Sequence, residues 1–257
     1  MSRSMISWID QKFYPHDTTR WDDALFRQTI LSYLKPEHRL LDLGAGAGII
    51  PAMNFRGIAR HVCGLDPDPR VLDNPHLNEA QIGLGEQIPW ADETFDIVIA
   101  DNVLEHLTEP VRVFREIQRV LKSGGIFLFK TPNRKHYIPF IARITPTGFH
   151  KFCARLRGRS EEDTFPTVYL ANRPAAIRKI AAEAGLNVRQ ISFFEKRPEY
   201  MRISVLSYIV GLGYERFVNS SSYLSDWRIL IVGELQKRAD TPLHANLVSE
   251  LVSESSQ

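Results

Sequence analysis

Leu40-Leu41-Asp42-Leu43-Gly44-Ala45-Gly46-Ala47-Gly48 is an apolar run that stops in three glycines at alternate positions. The run reads as a buried strand. The glycines strip every Cβ from the turn behind it, so a ligand can press against bare backbone. Ile49-Ile50-Pro51-Ala52-Met53 follows, and Pro51 suits only the first turn of a helix. The expected unit is therefore strand, glycine turn, helix N-terminus, with N–H groups and the positive helix end directed at an anion or carboxylate.

A triphosphate-binding loop carries Lys-Ser/Thr after its last glycine, where this chain has Ile49-Ile50. A dinucleotide fingerprint requires G-x-G-x-x-G, and here the third glycine comes one residue early, at Gly48, which argues against NAD. The next apolar segment, His61-Val62-Cys63-Gly64-Leu65, ends in Asp66. That acid lies about 20 residues beyond the glycines, where a neighbouring parallel strand presents a carboxylate to ribose hydroxyls.

Leu41–Gly48, Gly64-Leu65-Asp66, Ile88-Pro89-Trp90-Ala91-Asp92-Glu93-Thr94-Phe95-Asp96 and Val103-Leu104-Glu105-His106-Leu107 stand in that order. Together they closely resemble the class I S-adenosylmethionine-dependent methyltransferases of the small-molecule type, over roughly residues 37–131. The resemblance implies an α/β fold: a Rossmann-like, doubly wound, mostly parallel seven-stranded sheet with one antiparallel strand, helices on both faces and helical insertions. It also implies S-adenosyl-L-methionine as cofactor, held by Asp42, Gly44, Ala45, Gly46, Gly48, Asp66, Pro67, Gly85, Glu86, Asp101, Asn102 and Val103. Many relatives place an Asp against the adenine amino group where this chain has Leu84. Adenine would then be read by the backbone of Gly85 and Glu86 or by the Glu86 side chain, between Leu84 and Ile88. Two rival readings share the same strand and glycines: an NAD-dependent oxidoreductase, disfavoured by Ile49, and a catalytically silent scaffold joining partners through residues 134–170 and 197–225.

With 257 residues, 44% of them hydrophobic, the chain can bury a full core. The expected organisation is one methyltransferase domain over residues 1–237, with 1–36 as an N-terminal helical cap, 134–170 and 197–225 as helical insertions, and 238–257 as a tail. A net charge of +2 gives no reason to expect nucleic acid. Two cysteines are too few for a disulfide framework, and neither a signal-peptide core nor a membrane-spanning run is present, so the cytoplasm is the expected compartment.

Phe95–Ala100 is the strongest strand; a helix should run from Pro110 to Leu121 and stop at Gly124-Gly125. Further strands are expected at 126–131, 186–194 and 227–233, with a helix from Ala175 to Ala184 capped by Asn172-Arg173-Pro174. The segment 134–170 interleaves aromatics with Arg and Lys, which suits an anionic, partly apolar acceptor. The apolar segment 197–225 reads either as a core or dimer helix or as a surface helix dipping into a membrane interface. Transfer to a hydroxyl requires a general base. His106 and His136 are the catalytic candidates, with Tyr137, His150, Tyr14 and His16 behind them. No essential metal is expected: ubiquinone-pathway O-methyltransferases of the same superfamily carry Glu-x-x-Glu-His after the fourth strand, and here Asn102 replaces the first carboxylate.

Overall fold

The structure, a computed structural model, describes residues 2–15, 20–138 and 166–239. Seven strands form one sheet: β1 (Arg39–Leu43), β2 (His61–Asp66), β3 (Glu79–Ile82), β4 (Phe95–Asp101), β5 (Leu121–Pro132), β6 (Leu186–Phe194) and β7 (Leu230–Lys237). Their order is β3-β2-β1-β4-β5-β7-β6, and only β7 runs antiparallel to its neighbours. The winding reverses between β1 and β4. A crevice therefore opens at their carboxyl ends, the usual ligand position in such sheets.

Continuous apolar runs bury both faces of the central strands. On one face α3 (Pro110–Val120) and α4 (Pro174–Glu183) lay Val113, Phe114, Ile117, Ile177 and Ala181 on Leu41, Val98 and Phe127. Each large side chain buried this way contributes on the order of 1.5–3 kcal/mol. On the other face α2 (Trp21–Leu31) packs Phe26 and Ile30 against Leu40, Ile97 and Leu128. α1 (Ser2–Phe13) instead lies on α5 (Val205–Asn219), where Ile9 and Tyr14 meet Tyr208.

Four expectations shift. The helix expected after Gly48 shrinks to a three-residue 3-10 turn, Pro51–Met53, because Gly57 and the start of β2 follow too soon for a packed helix. Arg27 of α2 donates to the Ala52 and Asn54 carbonyls there, at 2.6 and 2.9 Å. Gly124-Gly125 does not stop α3; both lie inside β5, which starts at Leu121 beside a register shift against β4. β7 begins at Leu230 rather than Trp227, because Asn133 and Tyr214 side chains take the carbonyls of Asp226, Trp227 and Arg228 that a strand would need. Asn172 does not cap α4; it is buried and donates to Thr131 Oγ1 at 2.6 Å. Most of the 134–170 segment, with His150, falls outside the described residues, as do His16 and the tail beyond residue 239.

Candidate active site

One cavity lies at the crevice, lined by Asp42, Gly44–Ile50, Met53, Asp66, Asp68, Arg70, Asn74, His76 and Asp101. Gly44, Gly46 and Gly48 all have positive φ, +79°, +51° and +71°, which explains their alternation with alanine. The amides of Gly44 and Gly46 do not wait for an outside anion. The Gly44 N–H donates to the Leu65 carbonyl and the Gly46 N–H to Asp66 Oδ2, each at 2.8 Å. Asp66 Oδ1 accepts the Asp68 N–H at 2.8 Å, so this carboxylate clamps the glycine turn to the end of β2 while still lining the cavity. A helix dipole contributes nothing here, since no helix follows the turn.

Asn74 is a residue that sequence reasoning missed. Its Nδ2 donates to the carbonyls of Ala45 and Gly46 at 3.0 and 3.1 Å, and its Oδ1 accepts the His76 N–H at 2.9 Å. A Cβ on Gly48 would sit 2.3 Å from that Oδ1. Asn74 is thus a fixed wedge beneath the loop, and Gly48 is glycine because the wedge is there.

Of the four aspartates that line the cavity, Asp42 and Asp66 are buried and the Asp101 side chain is nearly so, while Asp68 pairs with Arg70. Burial, then repulsion from Asp101 and Asp66, holds the Asp42 carboxyl well above the ordinary carboxylate range. Burial also raises Asp66, against the two amides that favour its charge. Asp101 is pushed up to about 7, mainly by burial, with Lys130 opposing and Asp23 and Asp22 reinforcing. Lys130 is fully buried and is held charged, above its usual range, because Asp101, Asp22 and Asp23 outweigh its desolvation. Its ammonium pairs with Asp23, with Asp22 at 3.0 Å and with Asp101 Oδ1 at 3.2 Å. This second missed group ties α2 to the cavity wall. Asp101 Oδ1 also accepts from Asn102 Nδ2 at 2.8 Å, whereas Oδ2 has no hydrogen-bond partner among the described residues. A cavity with an unpaired carboxylate oxygen, more acidic than basic side chains in its lining and a backbone floor fits a small ligand that carries a cationic group.

Seven of the expected cofactor residues, Asp42, Gly44, Ala45, Gly46, Gly48, Asp66 and Asp101, line this cavity. Pro67, Gly85, Glu86, Asn102 and Val103 do not. Val103 packs under Gly44, whose Cβ would lie 2.4 Å from its Cγ2, and Gly85 packs between Val113 and Leu43. The adenine walls expected at Leu84 and Ile88 are likewise outside the lining.

His136 does not face an open cleft. It is fully buried, its Nδ1 accepts the Ile138 N–H at 3.2 Å, and its Nε2 lies 3.2 Å from Glu195. With its Nδ1 lone pair engaged and its ring packed against Tyr137 and Tyr214, it braces the chain after β5. Tyr137 is mostly buried beside it. Tyr14 donates to Glu215 at 3.1 Å, between α1 and α5. His106 stands in the 3-10 turn Leu104–His106 behind β4, with Nδ1 2.8 Å from the Pro166 carbonyl. A carbonyl only accepts, so Nδ1 carries the proton and Nε2 is the basic nitrogen.

Residues 41–129 match a family described as "Methyltransferase domain". A Mycolicibacterium smegmatis protein named "Probable S-adenosylmethionine-dependent methyltransferase" is 32% identical over 135 residues, 49% of this chain and 51% of that one. The ubiquinone biosynthesis O-methyltransferase of Thiobacillus denitrificans is 26% identical over 62% of this chain and 69% of its own. The chain thus spans between about half and two thirds of these relatives. Among solved structures, a geranyl diphosphate methyltransferase in complex with SAM superimposes with a TM-score of 0.51 at 14% identity, covering 85% of this chain and 86% of that one. The [4+2]-cyclase SpnF superimposes with a TM-score of 0.55 at 16% identity, covering 87% and 86%, so this fold also serves other chemistry. The ordered motifs, the matched domain and the strand order identify residues 41–129 as part of a class I S-adenosylmethionine-dependent methyltransferase domain, a family whose cofactor is S-adenosylmethionine.

Proposed function

We propose that this protein transfers a methyl group from S-adenosylmethionine to an oxygen of a small, lipid- or sugar-linked acceptor. The observation that carries the reading is the convergence of the glycine turn, Asp66, Asp42 and the unpaired Asp101 oxygen on one cavity. The glycine backbone and Asp101 would receive the charged amino-acid end of the cofactor, and Asp66, whose oxygens keep lone pairs, the ribose hydroxyls. When bound, the cofactor supplies an electrophilic methyl on a sulfonium that leaves as a neutral sulfide. The chain's own task is to align the acceptor and exclude water. His106 Nε2 would take the hydroxyl proton. The O-methyltransferases among the relatives support oxygen as the acceptor atom.

Calorimetric titration with S-adenosylmethionine tests the cofactor site. Asp66→Ala should weaken binding at least tenfold, and wild-type affinity should rise with pH through about 7, because a cationic ligand favours ionised Asp101. Binding indifferent to Asp66→Ala counts against the site. Mass spectrometry of cell-extract fractions incubated with labelled methyl donor then tests transfer; binding without turnover on any fraction favours the silent scaffold.

We also propose that α5 rests on a lipid surface where a lipid-linked acceptor would be met. Leu206, Ile209, Val210 and Phe217 form an exposed stripe opposite buried Tyr208, Glu215 and Val218, and Tyr223 beyond it is 94% exposed. Asp10 and Glu215 turn inward onto Tyr208 and Tyr14, while Lys12 and Arg216 stay outside, which suits anionic headgroups. No described helix is long and apolar enough to cross a membrane. Wild type should co-sediment with anionic phospholipid vesicles, and Leu206→Glu should reduce the bound fraction severalfold. Equal amounts left in solution, or a dimer by light scattering that Leu206→Glu dissociates, would overturn the lipid assignment, the latter in favour of a second copy.

A further inference from the structure

At the opposite end of β2 from Asp66, His61, Cys63 and Glu79 bring a ring nitrogen, a thiol and a carboxylate oxygen within 4.8 Å of one another. Backbone register forces the meeting. His61 and Cys63, two residues apart on β2, share a face. Glu79 on β3 is the direct partner of Cys63 in the parallel ladder. The His61 Nε2 and Cys63 Sγ converge on the same oxygen, Glu79 Oε2, at 3.5 and 3.6 Å. The other oxygen, Oε1, accepts the Trp90 indole N–H at 3.0 Å, which fixes how the carboxylate presents itself.

We propose that these three side chains bind a thiophilic divalent cation of the zinc type, with solvent completing the coordination. A tetrahedral ion takes thiolate at about 2.3 Å and imidazole or carboxylate at about 2.0–2.2 Å. Such bonds separate neighbouring ligand atoms by about 3.3–3.6 Å, and the two separations measured to Glu79 Oε2 are close to that edge length. Sulfur and imidazole select against magnesium and calcium. The Trp90 hydrogen bond on the uncoordinated oxygen has the form of an outer-shell support. His61 and Glu79 are each more than a third exposed in their side chains, giving an ion a path in, while Cys63 forms the buried floor. Burial and the Glu79 charge hold the thiol up to about 12, so an arriving ion must displace its proton; the Arg39 guanidinium opposes that hold by favouring the thiolate. The ion would clip edge strand β3 to β2. About five strand steps of 3.3 Å separate His61 from Asp66, so the site is distinct from the cleft, and it departs from the sequence expectation of no metal.

Untagged, chelator-treated full-length protein titrated with cobalt(II) alone tests this. Wild type should develop a thiolate-to-cobalt charge-transfer band with intense visible d–d absorption at one equivalent. Cys63→Ser should abolish the charge-transfer band. His61→Asn should weaken binding at least tenfold, and Cys153→Ser, at the chain's other cysteine, should leave the spectrum intact. Circular dichroism and S-adenosylmethionine titration confirm that each variant is folded. Absence of the band in wild type, its persistence in Cys63→Ser, or its loss in Cys153→Ser overturns the proposal; because S-adenosylmethionine binding is read separately, either site can fail without the other.

Discussion

Lys130→Met should lower the melting temperature by on the order of 10 °C, the largest stability loss expected from any single change near the cavity. Lys130 is the cation among Asp22, Asp23 and Asp101, and it is wholly buried. Removing one member of a buried charge cluster costs about 3–5 kcal/mol, because the remaining charges lose their compensation. A domain of this size loses about 2–4 °C per kcal/mol. The pH dependence separates this cause from lost packing. Asp101 already titrates near 7 in the folded protein, above an unfolded carboxyl near 3.8. Its raised value therefore costs stability that is fully present above pH 7 and is relieved as pH falls through 7 toward 4. Without Lys130 that cost grows, so the deficit of Lys130→Met should shrink between pH 8 and pH 5 in differential scanning calorimetry. A deficit constant over this range would assign the loss to methylene packing. Adding Asp101→Asn to Lys130→Met should recover part of the loss at pH 8.

Why the sequence disclosed one half of this site and hid the other follows from distance along the chain. Gly44–Gly48, Asp66 and Asp101 each follow immediately on an apolar run, so strand periodicity alone places them at the same edge of the sheet. Lys130 also ends such a run, but its partners Asp22 and Asp23 lie more than a hundred residues earlier, on a helix whose docking no local pattern specifies. Asn74 is hidden for a different reason. In sequence it is one polar residue beside a proline, and its task as a wedge exists only once β1 and β2 are paired.

The misplaced elements have equally local causes. Pro51 is a fair sign of a helix start, yet the chain must turn at Gly57 and enter β2 at His61, which leaves room for one 3-10 turn. Trp227-Arg228-Ile229 has strand composition, but the carbonyls of Trp227 and Arg228 are taken by the Tyr214 and Asn133 side chains, a competition invisible until β5 and α5 are in place. Histidine chemistry was the least legible. His106 and His136 look alike in the sequence, and only the carbonyl of Pro166 and the amide of Ile138 reveal opposite tautomers.

Gly48→Ala should reduce S-adenosylmethionine affinity by at least two orders of magnitude, the largest binding effect expected from loss of a single hydrogen's worth of space. Gly48 has a φ of +71°, which costs an alanine about 1–2 kcal/mol. The new methyl would also lie 2.3 Å from Asn74 Oδ1, 2.8 Å from its Cγ and 3.0 Å from Pro75 Cδ. Asn74 cannot retreat without releasing the Ala45 and Gly46 carbonyls, and those residues are themselves cavity wall. The strain therefore moves the turn, and each 1.4 kcal/mol lost from binding is tenfold in affinity. Gly57→Ala is the matched control. Its φ is +83°, but its Cβ would meet nothing within 4 Å and it does not line the cavity. Gly57→Ala should destabilise the fold by a similar backbone cost while leaving the dissociation constant unchanged. Calorimetric titration of both variants distinguishes them: equal affinities would mean that the glycine turn is shaped for folding alone, and a loss confined to Gly48→Ala would mean that Asn74 and Gly48 together hold the backbone that the ligand touches.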